Sequence, residues 1–185
     1  MDLLHHLRIC ARANRLANHR LHESMSALSQ ADFEAPRTGF FPSLAATLNH
    51  VLAVDVYYLA ALHREADMVA QFEARVACRE LAELAVQQRR TDERLIRFVD
   101  SLDAADLDGE IVLDRGEMVL SDRCGYLLGH LFMHQTHHRG QAHAMLSGTA
   151  VAPPQLDEFM MPSDAPNRVA DLRSLGWTEH DLFGA

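Results

Sequence analysis

The sequence predicts an all-α protein, a four-helix bundle with a small β-hairpin between the third and fourth helices and an irregular C-terminal tail. Four long segments repeat apolar side chains at the helical period, and one longer crossover separates two of them, as in helix bundles. The chain has 185 residues, enough for one domain with a sizeable core but too few for two domains that each bury a core of that kind. The predicted helices cover residues 2–28, 42–64, 76–102 and 121–146.

The first two helices have recognisable ends. The first, from about Asp2 to Leu28, is rich in Ala, Leu and Arg and is expected to end before a turn at residues 30–32. A connector with two prolines and a glycine follows. The second helix begins at Ser43, a residue type that caps helix N-termini, and continues to about Arg64.

The last two helices are predicted on the same grounds. The third, from about Val76 to Leu102, carries a charged face that indicates a solvated side. The fourth is expected to begin near Ser121, with Asp122 in its first turn, where a carboxylate suits the helix dipole. It should end after Leu146, before a glycine at position 148.

The rest of the chain is predicted to be a hairpin and a tail. Between residues 110 and 120, two short apolar runs flank Asp-Arg-Gly-Glu, and Gly116 can take the positive φ that a tight turn needs. From Thr149 onward four prolines indicate an irregular cover, with a short helix near Arg168–Leu175. We therefore expect a bundle over 1–148 and a tail over 149–185 packed on it, a single domain overall.

Composition argues against several classes of partner. The formal charge of −9 is unfavourable for nucleic acid or anionic lipid, because both require a basic surface. No run approaches 18 uninterrupted apolar residues and the N-terminus is charged from Asp2, so neither a membrane span nor a signal peptide is expected. Cys10, Cys78 and Cys124 lack CxxC spacing and are interpreted as reduced thiols of a cytoplasmic protein.

Two helices are apolar on more than one side. In the second helix the apolar residues cannot all face one stripe: Leu44, Leu48, Val51, Val54, Tyr58 and Leu59. On the fourth helix Leu128, Phe132 and Leu146 lie opposite His134. A helix that is apolar on two sides must be covered twice, which favours a homodimer.

The fourth helix also carries four histidines within nine residues, at 130, 134, 137 and 138. Residues four apart on a helix lie about 40° apart around its axis and about 6 Å apart along it. His134 and His138 can therefore direct two imidazoles at one point, as metal binding requires. The helical wheel places both on the core face, where imidazoles are costly without a partner. The alternative to metal binding is that the two imidazoles form hydrogen bonds to each other, to water or to backbone groups.

A third ligand has to come from another helix. The candidates are His19, His22, His50 and His63. His50 is favoured because it lies in mid-helix among apolar neighbours, whereas His63 is near a helix end and the other two lie in a polar stretch. Three protein ligands with open positions for water or substrate are typical of catalytic rather than structural metal sites.

Several neighbouring residues have two interpretations. Gln135 stands where a zincin has its glutamate base, which argues against a metalloprotease. Catalytic residues are not identified, and the weak candidates are Asp55, His130 and His137, each more often structural or solvated.

Three more residues of the fourth helix have structural interpretations. Arg139 points away from the ligand sector and is expected to anchor a neighbouring segment or a dimer. Gly140 is expected to allow close helix approach, and His143 to lie on the surface.

Two stretches resemble a known family. The segment Ser43-Leu-Ala-Ala-Thr-Leu-Asn49-His50-Val-Leu-Ala-Val-Asp55, with the later His134-Gln-Thr-His137-His138-Arg139-Gly140-Gln141, is similar to the DinB family, the DinB/YfiT-like metalloenzymes. The early segment from Asn14 to Asn18 looks similar too, and the resemblance covers roughly residues 1–148.

The resemblance implies an up-down-down-up bundle, usually dimeric, with a divalent metal held by His50, His134 and His138. Zinc and nickel are both frequent in the family, and imidazole ligation suits either. Characterised relatives include S-transferases that use bacillithiol or mycothiol and the mycothiol-dependent maleylpyruvate isomerase. We expect no room in these 185 residues for the extra C-terminal domain of the isomerase, which argues against that specific activity.

Three hypotheses about function follow. The first is a cytoplasmic metal-dependent enzyme, a transferase or hydrolase, whose ion activates water or a low-molecular-weight thiol toward a small-molecule substrate. The second is a non-catalytic metal-binding stress-response protein with the same ligands. The third is a purely structural bundle whose imidazoles pair with protein groups. An open, substrate-sized cavity beside the histidines would favour the enzyme.

Overall fold

The computed structural model describes residues 2–184 and confirms an all-α fold with one small hairpin. Four long helices form the bundle, in the predicted order. The described helices and strands are α1 (Leu3–Met25), α2 (Gln30–Glu34), α3 (Leu44–Leu62), α4 (Met68–Glu73), α5 (Leu81–Ser101), β1 (Glu110–Asp114), β2 (Val119–Arg123), α6 (Cys124–Leu146), α7 (Ala165–Leu175) and α8 (Glu179–Phe183). Helices α1, α3, α5 and α6 pack together around the core, with α1 and α3 each contacting both α5 and α6.

Side-chain caps define the start of the first helices. The Asp2 carboxylate accepts a hydrogen bond from the His5 amide at 2.8 Å and begins α1. The turn expected at residues 30–32 is instead the short helix α2. Ser29 caps this helix by accepting from the Asp32 amide, and the fully buried Phe33 anchors it to the core. The expectation of a turn was wrong because the Ser29 cap and the Phe33 contact together stabilise one helical turn.

Helix α3 is the central helix of the bundle. Ser43 caps it as predicted, with its hydroxyl accepting from the Ala46 amide at 3.0 Å. Its apolar sides are covered within the chain by α2, α4, α5, α6 and β1. By length and composition alone α3 could also cross a membrane, contrary to the expectation that no segment could, but more than half of its apolar stretch is buried inside the protein. A buried core helix passes the same test.

Helix α5 begins five residues later than predicted. The residues before it are extended because Asn49 of α3 holds them: its Oδ1 accepts from the Cys78 amide at 2.7 Å and its Nδ2 donates to the Cys78 carbonyl at 2.9 Å. Val76, predicted to open the helix, is 85% exposed. A tertiary contact has replaced the local helical preference of this segment.

The hairpin before α6 is confirmed. Strands β1 and β2 pair antiparallel, and Gly116 takes a φ of 79° in the turn. Asp122, expected in the first turn of the last long helix, lies in β2 opposite Ile111, and α6 begins at Cys124. That expectation was wrong because strand pairing continues to the residue before the helix.

The tail packs on α1 and is more helical than predicted. The short helix expected at residues 168–175 is present as α7, which begins at Ala165. A second helix, α8, was not predicted and is capped by Thr178. Buried apolar side chains of the tail and of α1 form one cluster: Leu16, Ala17, Phe159, Leu172 and Leu182. Arg168, 1% exposed, donates to the carbonyls of Phe159 and Met161 and pairs with Glu179.

Candidate metal centre

Three histidines from two helices converge inside the bundle. His50 comes from α3, and His134 and His138 come from α6; one ligand atom of each lies within 4.8 Å of the others. The Nε2 atoms of His50 and His134 are 3.1 Å apart. His138 is buried and the other two are half-buried. The three residues selected from the sequence are therefore close enough to bind one divalent metal ion.

Neighbouring groups orient two of the rings. Nδ1 of His138 lies 2.8 Å from Oε1 of Gln141, which can only accept, so His138 donates from Nδ1 and keeps the Nε2 lone pair free. The Gln141 amide nitrogen lies 3.1 Å from Nε2 of the exposed His137. The Phe41 ring lies over His50, with the ring centroids 4.3 Å apart. His137 thus contacts the cluster in two ways, through Gln141 and through its own ring, whose centroid lies 4.8 Å from that of His138.

The cluster favours neutral imidazoles. Burial, together with the nearby His138 and His50, lowers the pKa of His134 to about 4. Burial and His138 also lower the pKa of His50. Neutral imidazole is the form that binds a metal ion, so these residues suit an ion at neutral pH. Nδ1 of His134 is also buried with no hydrogen-bond partner among residues 2–184, a feature often found at functional sites.

A cavity of about 570 Å³ opens beside the three histidines, which form part of its wall. His130, Tyr57, Tyr58, Phe72 and Arg115 also line it. The Arg115 guanidinium donates to the Tyr58 hydroxyl at 3.2 Å, and that hydroxyl lies 3.2 Å from Nε2 of His130. Because arginine can only donate, the Tyr58 proton is free to bond His130. A small molecule in this cavity would contact both the ligand histidines and His130.

Comparison with protein families matches residues 5–169 to the model described as the DinB family. The chain belongs to the DinB family. The match extends past residue 148, where the sequence resemblance was expected to end, and into α7. Comparison with curated proteins finds no match.

In this DinB-family chain Asp55 does not line the cavity. Its Oδ2 accepts from the amides of Gln88 at 2.8 Å and of Gln135, inside the core. Burial and the neighbouring Asp92 raise the pKa of Asp55 well above its usual range. Gln135 is fully buried and points into the core, so the position of the zincin glutamate does not face the ligand cluster here.

Arg139 anchors a neighbouring segment, as predicted. Its Nη1 donates to Oδ1 of Asn14 at 2.6 Å and of Asn18 at 2.9 Å, which joins α6 to α1. Asn18 also donates to Asp92 at 3.0 Å, and Asp92 accepts from Gln88. These contacts form a buried polar network that links all four long helices of this DinB-family bundle: Asn14, Asn18, Asp55, Gln88, Asp92, Gln135 and Arg139.

Sequence reasoning missed this buried polar network. Its detectable signal was the spacing of Asn14 and Asn18, and of Gln88 and Asp92, because polar pairs four apart lie together on a helix.

Two smaller expectations about α6 were wrong. A Cβ at Gly140 would meet nothing within 4 Å, so this glycine serves no close approach between helices of the chain. His143 is half-buried because its Nε2 lies 2.9 Å from the Pro154 carbonyl of the tail.

The remaining histidine candidates lie outside the metal centre. His63 is exposed at the C-terminus of α3, as expected. His19 and His22 line a separate pocket beside α5. Burial lowers the pKa of His22 to about 4. Among the described residues, His50 alone joins the pair on α6.

Proposed function

We propose that this DinB-family protein is a cytoplasmic metal-dependent enzyme. His50, His134 and His138 would hold a divalent ion, zinc or nickel, since imidazole nitrogens suit both. The observation that carries the proposal is the convergence of three imidazoles, with ligand atoms within 4.8 Å, on the wall of a cavity of about 570 Å³. When bound, such an ion lowers the pKa of a coordinated water or thiol and so supplies a nucleophile at neutral pH.

The cavity is the feature that favours an enzyme over the alternatives. Its volume lies within the range of roughly 300–1,000 Å³ that is typical of small-molecule sites. A non-catalytic metal-binding stress-response protein would need the same ligands but no such space. A purely structural bundle would need neither, and it would leave the buried Nδ1 of His134 without a role.

Residues that line the cavity would transfer a proton, orient the proton acceptor and contact the substrate. Tyr58 would take the proton that an incoming thiol or water releases and pass its own hydroxyl proton to Nε2 of His130, since both side chains line the cavity beside the ligands. Tyr58 and Arg115 would orient His130 through the hydroxyl bond at 3.2 Å. Tyr57 and Phe72 provide apolar surface for the body of the substrate. His137 would support His138 through Gln141, and Asp55 would stabilise the core.

We favour transfer of a low-molecular-weight thiol to a small electrophile, and hydrolysis is the other reaction that this site would suit. Thiol transfer is favoured by analogy with characterised DinB-family enzymes.

We also propose a homodimer, supported by apolar side chains that are exposed on α6, among them Tyr126 at 68% and Met133 at 74%. The acidic chain is not proposed to bind nucleic acid or a membrane.

The first test is elemental analysis of protein purified without a nickel column. We expect about one ion per chain in the wild type. His134→Ala should lose the ion, and His137→Ala on the exposed side of the same helix should keep it. Unchanged metal content in His134→Ala would refute the ligand assignment.

A turnover screen then separates enzyme from metal store. Several biological thiols are paired with electrophiles, and hydrolysable esters are included. We expect turnover by the wild type, none by His134→Ala, and a loss of about 100-fold in His130→Gln with its metal retained. An ion present in the wild type without turnover of any pair would support the non-catalytic alternative.

A further inference from the structure

A second cavity of about 800 Å³ lies between α1, α6 and residues 153–159 of the tail. We call it the tail groove. Its α6 residues, among them Phe132, Thr136 and Arg139, lie on the side of that helix opposite His134. Its walls are largely apolar and include Ala13, Leu156 and Phe159. The groove is therefore separate from the metal centre.

Arg139 lines the tail groove, and one edge of its guanidinium has no hydrogen-bond partner among the described residues. Nη1 of Arg139 is bonded to Asn14 and Asn18. Its Nε and Nη2 make no hydrogen bond to any residue in 2–184, and neither is closed off from solvent. Nε and Nη2 form one side of the planar guanidinium, an edge that matches the two oxygens of a carboxylate. The two asparagines hold this edge in place.

The charges around Arg139 are compatible with a bound anion, because nearby carboxyl groups neutralise the arginines only in part. Inside the buried polar network, burial raises the pKa of Asp92 to about 7 and that of Asp55 well above its usual range. Arg15, 6% exposed, adds a second guanidinium beside Asp92. At neutral pH the two arginines are therefore not fully neutralised. Asp157 is an acid that also lines the tail groove, and it is exposed at the surface.

We propose that the tail groove is a second ligand site that binds a small amphipathic carboxylate, with its carboxylate on Nε and Nη2 of Arg139. The apolar body would lie against Phe132, Leu156 and Phe159. A single carboxylate matches the groove better than a phosphate dianion, because a second negative charge would be left uncompensated among apolar walls. This site is independent of the proposed enzyme activity, because none of these contacts involves a ligand histidine.

The test is calorimetric titration of the full chain with octanoate and with 4-phenylbutanoate. Octylamine, which has the same apolar body and the opposite charge, is the matched control. Titrations are repeated on His134→Ala, to exclude binding at the metal centre. We expect saturable binding of at least one carboxylate below about 1 mM in both proteins and none of octylamine. Absence of binding by both carboxylates up to about 10 mM, or loss of binding in His134→Ala, would overturn the proposal.

Two variants locate the ligand in the tail groove. Arg139→Met should weaken carboxylate binding at least about tenfold, but it also removes an anchor of α1. Gly140→Leu fills the groove and leaves Arg139 in place, since a Cβ there meets nothing within 4 Å. Gly129→Leu is the matched control, because it is equally unobstructed, lies on the same helix and does not line the groove.

The variants have clear opposing outcomes. Binding that is lost in Gly140→Leu and kept in Gly129→Leu supports the proposal, whatever the stability of Arg139→Met. Binding that persists in Gly140→Leu overturns it. If Gly140→Leu instead changes the molar mass in solution by light scattering and Gly129→Leu does not, a second copy of the chain occupies the groove, and the ligand site is refuted.

Discussion

The Nε2 atoms of His50 and His134 face each other at 3.1 Å, although 84 residues separate the two histidines in the chain. With His138 they bring three imidazoles together inside a helix bundle. Burial lowers the pKa of His50 and of His134, so these two rings are neutral at neutral pH, and only one of the two facing nitrogens can carry the proton that bonds them. A cation at this point would bind the lone pairs of all three rings, which couples metal binding to stability.

Metal removal should therefore destabilise the protein. A ligand that binds only the folded state at about 100 times its Kd adds about 2.7 kcal/mol, or roughly 5–10 °C in Tm for a chain of this size. We expect zinc or nickel to raise the Tm of chelator-treated wild type and of His137→Ala in calorimetric scans. His134→Ala should show no such rise, and an equal rise in that variant would place the ion elsewhere.

The buried carboxyl of Asp55 should make stability depend on pH. Its pKa is raised in the folded state, so the folded protein holds more protons than the unfolded chain above pH values near 4. The buried Asp55 carboxyl therefore favours the folded state at low pH, and it disfavours the folded state as pH rises through the acid range toward the folded pKa. Asp55→Asn removes the titration, and its amide oxygen can still accept from Gln88 and Gln135.

Urea unfolding from pH 5 to pH 8 measures this effect. We expect Asp55→Asn to gain stability relative to the wild type as pH rises, and the exposed Asp157→Asn to follow the wild type. Asp55→Leu should cost about 2 kcal/mol or more at every pH, because two buried amides lose their acceptor. A constant difference between Asp55→Asn and wild type across this range would contradict the assignment of a raised pKa.

Gly140 should be replaceable. It is exposed in the middle of α6, and an added methyl group meets nothing within 4 Å. Gly140→Ala should raise the free energy of unfolding by about 1 kcal/mol through helix propensity alone. Gly129→Ala, on the same helix and equally unobstructed, should give a similar gain. A loss of stability at residue 140 alone would show that another molecule approaches the helix there.

Arg168 should hold the tail on the bundle. Its guanidinium is 1% exposed and donates to two backbone carbonyls at 3.0 and 2.8 Å. Arg168→Met keeps the apolar length but leaves those acceptors unpaired, so we expect a loss of about 2–4 kcal/mol. Limited proteolysis should cleave residues 153–183 faster, while metal content stays constant. The exposed Arg173→Met is the control, and equal cleavage in both variants would exclude this anchoring role.

Local patterns predicted much of this fold. Apolar periodicity predicted four long helices. The preference of serine for helix N-termini predicted the start of α3 at Ser43, and Gly116 predicted the hairpin turn. The i, i+4 spacing of His134 and His138, with a histidine among apolar neighbours on another helix, identified the three residues that converge. These signals are readable because helix geometry fixes which neighbours along the chain share a face.

Other features were decided by contacts between segments that are distant in sequence. Asn49 delays α5 through its two bonds to Cys78, and the strand partner Ile111 keeps Asp122 out of α6. Asp55 faces two buried amides rather than the cavity because α5 and α6 pack on that side of α3. Sequence spacing determines the face of a helix on which a side chain lies. Only the packing of the helices decides what that face meets, because their relative rotation depends on the fit of the whole core.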